Sequence, residues 1–117
     1  MSTVRDRNVI DFTFVEGNRF ILMIVDDLEW TFENRQEHGR MLQDMINDYL
    51  TYIVSGQAQE AAPGLRPVIR IAAQHAYSRY CLDFLERVKA FIRRKDDICD
   101  VEWVHEGAGP FDDCIIR

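Results

Sequence analysis

Residues Arg19 to Asp26 read Arg-Phe-Ile-Leu-Met-Ile-Val-Asp, a run whose interior is apolar at every position. In a strand, successive side chains point to opposite faces. Phe20, Leu22 and Ile24 therefore lie on one face, with Ile21, Met23 and Val25 on the other. A strand apolar on both sides is central or covered on both sides. Whatever this chain folds into must bury that strand twice.

The flanking segments supply part of the cover. Val9 to Val15 alternates, with Ile10, Phe12 and Phe14 on one face, the period of a half-buried strand. Glu16-Gly17-Asn18 follows, and Gly and Asn tolerate the positive φ of hairpin turns. The first two strands are therefore expected to form an antiparallel hairpin. Asp26 to Glu37 is polar apart from Leu28, Trp30 and Phe32, and reads as a connection anchored by an aromatic. From about Gln36 to Val54, Met41, Leu42, Met45, Ile46, Tyr49, Leu50 and Ile53 form one apolar helical stripe. Gly56 suits the left-handed position that ends a helix.

Gln57 to Pro67, with Pro63 and Gly64, reads as a loop. Val68 to Ala73 reads as a third strand. Ser78 can cap a second helix from Arg79 to about Lys95, with Cys81, Phe84, Leu85, Val88, Phe91 and Ile92 as its stripe. Ile98 to Val104 alternates again. The tail from residue 105 to 117 is expected to be loosely docked or to add a short strand. The order ββαβαβ over a single domain, residues 1–117, predicts an α+β two-layer sandwich: a four-stranded mixed sheet with two helices on one face. Two helices cover one face only. A homodimer through the open sheet face is the expected consequence.

Composition narrows the partners. The formal net charge is −6, from 20 acidic and 14 basic residues. An acidic balance repels phosphate backbones, so nucleic acid is not expected. Arg66, Arg70, Arg79, Arg87, Arg93 and Arg94 would have to form the basic face of such a binder. The longest apolar run, Phe20 to Val25, is far short of a membrane span. Met1 to Arg7 has no apolar signal core. The chain is read as cytoplasmic. The three cysteines, Cys81, Cys99 and Cys114, form no Cys-x-x-Cys pair, so neither a disulfide framework nor a cysteine zinc site is expected.

The stretch Asp26-Asp27-Leu28-Glu29-Trp30, followed by a helix of the form Leu-Gln-x-x-Ile-Asn-x-Tyr-Leu (Leu42 to Leu50) and by Ser55-Gly56, resembles a family of small bacterial proteins catalogued only as a domain of unknown function. The resemblance spans Val9 to Trp103 and includes Phe84-Leu85 in the second helix. It departs at Asp44, where the family has Lys, and at Ala73-Gln74-His75-Ala76, where the family is more aromatic. It implies the fold and a bacterial origin, and no activity.

Chemistry-bearing residues are sparse. Asp26, Asp27 and Glu29 cluster beside Trp30 at the end of the second strand, where carboxylates can hold a hard cation or move protons. Their spacing matches no calcium loop, and a solvated turn with Trp30 docked in the core is the plainer account. Glu29 and Trp30 are candidate ligand-binding positions. His38 stands near the first turn of helix one, and His75 follows the third strand. Either would make a His–carboxylate pair if the fold brings it to Asp26 or Asp27, the pair an enzyme of unknown type would use. Surface or capping histidines are the alternative. Tyr49, Tyr52, Tyr77 and Tyr80 are the aromatics from which a groove would be lined. His105-Glu106-Gly107-Ala108-Gly109 lacks the second histidine of a zinc-protease helix. No phosphate-cradling loop and no Gly-x-Ser-x-Gly elbow occurs. No metal or cofactor is expected. The reading is a non-enzymatic, self-associating binding module with a possible protein partner; the alternative is the Asp/His enzyme.

Overall fold

The computed structural model describes residues 12–95 and 97–105 and the backbone of residues 115 and 116. The expected start of the first strand at Val9, the turn-rich stretch after His105, and Cys114 lie outside the described residues. The elements are β1 (Thr13–Glu16), β2 (Arg19–Asp26), α1 (Arg35–Val54), α2 (Gln57–Ala61), β3 (Arg66–Ala73), α3 (Arg79–Lys95), β4 (Asp100–His105) and β5 (Ile115–Ile116). They make an α+β fold on one mixed sheet of order β1-β2-β3-β4-β5.

The hairpin forms as expected. β1 pairs antiparallel to β2, and Gly17 takes φ 65° in the turn. β2, β3 and β4 are parallel neighbours, and β5 adds a short antiparallel edge. One difference from the expected elements has a local cause. Gln57-Ala58-Gln59-Glu60-Ala61 are good helix formers and make the extra helix α2 inside the expected loop. Gly56, at φ 91°, turns the chain between α1 and α2. α3 starts where Ser78 Oγ accepts the Cys81 N–H at 3.1 Å. It ends at Asp97, in the left-handed region at φ 51°, whose N–H donates to the Ile92 carbonyl.

One parity of the sheet packs with both long helices. Phe20, Leu22, Ile24, Ile69, Ile71, Val101 and Trp103 share a cluster with Leu42, Met45, Ile46 and Tyr49 of α1 and with Cys81, Leu85 and Ile92 of α3. The Tyr49 hydroxyl, inside this core, donates to the Met23 carbonyl at 2.7 Å.

The other parity of β2 is covered as well. Its side chains are buried within the chain. Ile21, Met23 and Val25 are 0, 8 and 7 % exposed. Met23, Val25 and Ala72 pack with Phe14 and Val104. Beside them lies a ring of ion pairs drawn from four strands. Arg19 bridges Glu16 at 2.6 Å and Glu102 at 3.1 Å, and Arg70 bridges Glu16 at 2.9 Å and also Glu102. Arg70 and Arg19 together hold the Glu16 carboxyl below the usual carboxylate range. Long arginine stems cover apolar surface while their heads stay paired and wet. That is how a face without helices hides a doubly apolar strand.

Candidate functional site

The parallel register aligns three strand ends. Asp26 of β2 is level with Ala73 of β3, and Ala73 with His105 of β4. Both α1 and α3 begin beyond this edge, because each helix follows a strand that ends there. In open α/β sheets such a carboxyl edge is where ligands bind.

Two residues singled out in the sequence meet here. His38, in the first turns of α1, places Nε2 2.8 Å from each carboxylate oxygen of Asp26. Both side chains are sealed, at 0 % exposure for Asp26 and 1 % for His38. The Leu28 N–H donates to Asp26 Oδ1 at 3.2 Å. An ionised carboxylate only accepts, so in that state Nε2–H is the donor and Nδ1 faces the opposite way. Nδ1 is buried without a hydrogen-bond partner. Trp30 covers the imidazole, its ring stacked 3.6 Å away at 15°. Its indole N–H is likewise buried and without a hydrogen-bond partner.

The pair brackets a connection. Asp26 ends β2 and His38 opens α1, so their contact closes residues 27–37 into a loop. Inside it, the Thr31 N–H donates to Asn34 Oδ1 at 2.9 Å, and the Asn34 N–H to Thr31 Oγ1 at 3.1 Å. Asn34 Nδ2 reaches the Glu29 carbonyl at 2.9 Å. The Asn34 side chain is thus turned to the loop and does not cap α1. This built turn holds Phe32 at 74 % exposure. The Arg35 guanidinium lies 4.4 Å over the Phe32 ring and 5.4 Å over that of Tyr80. Tyr80 in turn leans on Trp30 at 6.5 Å.

The remaining candidates fall elsewhere. Asp27 is half-buried and Glu29 exposed. His75 is exposed, whereas His38 is the histidine buried against Asp26. Tyr77 donates to the Val104 carbonyl at 2.6 Å and has its phenol pushed up by burial, by Cys81 and by Asp26. Burial and the nearby Asp26 push the Cys81 thiol up, and burial carries Cys99 from 9.0 to about 12. Both are neutral, inert thiols at neutral pH. Among the described residues, no group of three His, Cys, Asp or Glu side chains is placed to hold a metal ion.

The Phe32–Arg35 contact was missed in the sequence. Its signal was the i, i+3 spacing of an aromatic and a cation at the start of a helix. Trp30 is the aromatic that docks, and Phe32 stays exposed.

Among the described residues no helix is long and apolar enough to cross a membrane. No curated protein and no solved structure matches the chain significantly. A family model matches residues 1–105, most of the chain, with the hairpin, both long helices and all of the Asp26–His38 site inside the match. The chain belongs to the family of unknown function DUF6572.

Proposed function

We propose that this chain is a non-catalytic binding module that takes a protein partner at Phe32 and Arg35 and also self-associates. The observation that carries the reading is Phe32 itself. A large aromatic held 74 % exposed on a hydrogen-bonded turn, under a guanidinium, has the make-up of an interface hot spot. Loops positioned by a rigid scaffold commonly carry recognition. The sealed Asp26–His38 contact supports the same reading, since a group at 0–1 % exposure touches no substrate as it stands. Its work is to hold the loop. A bacterial cytoplasmic setting is part of the proposal.

The test compares wild type with Phe32→Ala/Arg35→Ala as quantitative affinity baits, followed by measurement on the purified pair. The double variant is expected to weaken a partner by roughly tenfold or more, with the fold unchanged. A partner indifferent to both substitutions removes the patch from the reading.

The second reading, an Asp/His enzyme, is favoured by one observation: the pair has formed, and His38 Nδ1 has no hydrogen-bond partner. It requires Trp30 to open. Carbethoxylation of the native protein, mapped by mass spectrometry, distinguishes the two. The exposed His75 is expected to react and His38 to react only in denaturant. A native His38 reacting as fast as His75 shows an opening site and moves the balance to the enzyme.

A further inference from the structure

Ile46 and Leu50 of α1 face Phe84 and Phe91 of α3 across a hollow of about 410 Å³. A second hollow of about 170 Å³ shares Leu50 and Phe91 with it and runs on to Val54 and Ile98. The two form one groove between the long helices. Phe91 is 53 % and Val54 69 % exposed in it. The α1 wall repeats every fourth residue, at Ile46, Leu50 and Val54, and the α3 wall offers Phe84, Val88 and Phe91. Rows of this kind are the ridges between which a further helix packs. Gln43 to Val54 covers roughly 16 Å at about 1.5 Å per residue, about three turns of such a helix.

The charge of the groove selects the kind of helix. Arg87 and Lys95 are the charged side chains lining the two hollows, and no carboxylate lines either. Asp44 and Asp48 lie round α1, outside the lining. Both cations are exposed, and neither bridges a carboxylate among the described residues. Lys95 Nζ stands 5.8 Å over the Phe91 ring, at the edge of the apolar floor. Past Val54 and Ile98 the next hollow holds Arg66, already bridged to Asp97 and Asp100. In a chain of net charge −6, the free charge of this groove is positive. A second copy turned over on a two-fold axis would set the patch against itself, cation to cation. An acidic amphipathic helix meets both demands. Its apolar side chains at i, i+3, i+4 and i+7 enter the groove. Carboxylates about two turns apart on its flank reach Arg87 and Lys95, which are eight residues apart.

We propose that the α1–α3 groove docks an acidic amphipathic helix of a partner protein. The inference goes beyond the Phe32–Arg35 reading and shares no residue with that patch, so either can fail alone.

Fluorescence anisotropy on the full chain tests it, with two labelled helical peptides as probes. Both carry leucines at the helical stripe positions; one has glutamates beside the stripe and the other lysines. The glutamate peptide is expected to bind roughly tenfold or more tighter than its lysine twin, and less tightly as salt rises. Phe91→Ser is expected to weaken it roughly tenfold or more with an unchanged circular dichroism spectrum. Arg87→Glu/Lys95→Glu, at exposed positions, is expected to reverse the order of the two peptides. No binding of the glutamate peptide, or binding indifferent to Phe91→Ser, overturns the groove as its site. Equal binding of both peptides overturns the acidic partner. Sedimentation velocity covers the competing occupant: a wild-type dimer that Phe91→Ser dissociates gives the groove to a second copy and overturns the proposal. Anionic vesicles bound through Phe91, with no peptide binding, give the surface to a membrane and overturn it too.

Discussion

Replacing His38 by alanine is expected to lower the unfolding free energy by about 3 kcal/mol, the cost of leaving a buried polar group without its hydrogen-bond partner. The reason lies in what remains. Asp26 is fully buried and loses a donor lying 2.8 Å from both of its oxygens. The Leu28 N–H stays, at 3.2 Å, and cannot replace it. Truncation also removes the ring on which Trp30 stacks at 3.6 Å. Urea unfolding, read by tryptophan fluorescence, measures the change. The double variant Asp26→Leu/His38→Leu is expected to recover much of the loss, because replacing both partners of a buried hydrogen bond by apolar groups of similar shape is often nearly neutral. A loss under about 1 kcal/mol for His38→Ala would mean that the pair does not clamp the 27–37 loop.

Trp103→Ala is expected to cost a similar amount, about 3–5 kcal/mol, by a different mechanism. Trp103 is fully buried, the largest such side chain in the described chain. It belongs to the cluster that joins the sheet to both long helices, and the Lys89 ammonium stands 5.7 Å over its ring. Truncation leaves a cavity under α3 that the surrounding helices cannot fill. Phe91→Ala, on the same helix but more than half exposed, is expected to change stability by less than about 0.5 kcal/mol. The contrast between two aromatics tests the division of α3 into a packed face and a presented one. Equal costs for the two would show that Phe91 is structural, which removes it from any docking surface.

The two expectations bear on different parts of the molecule. Loss of Trp103 weakens the body of the fold. Loss of His38 acts on the connection that carries Phe32 and Arg35. The site therefore has a stability of its own, set by a contact between residues that are twelve apart in the chain.

Elements were legible because their causes are local. The alternation of β2, the stripe of α1 and the Ser78 cap of α3 depend on residues within a turn or two of each other. Bounds slipped where the cause was tertiary. β3 starts at Arg66, two residues early, because its first residues pair with β2. Family membership was legible as well, since the acidic-Leu-acidic-Trp segment and the helix after it are contiguous.

The site was legible as a list of residue types. Asp26, His38 and Trp30 stood out, yet so did Asp27, Glu29 and His75, and nothing in the sequence chose among them. The choice is made by the depth of each side chain. Asp26 points to the helix-covered face of β2, and the first turns of α1 carry His38 over it.

The doubly apolar strand shows the same division. Its sequence determined that β2 is buried on both faces, because six consecutive apolar side chains alternate across any strand and water rejects both sets. What covers the second face was decided by tertiary structure alone. Arg19, Glu16, Arg70 and Glu102 come from four different strands, and only their register sets cations beside carboxylates over that face. Ion pairing acts through space over a few ångströms, whereas the hydropathy pattern is written along the chain.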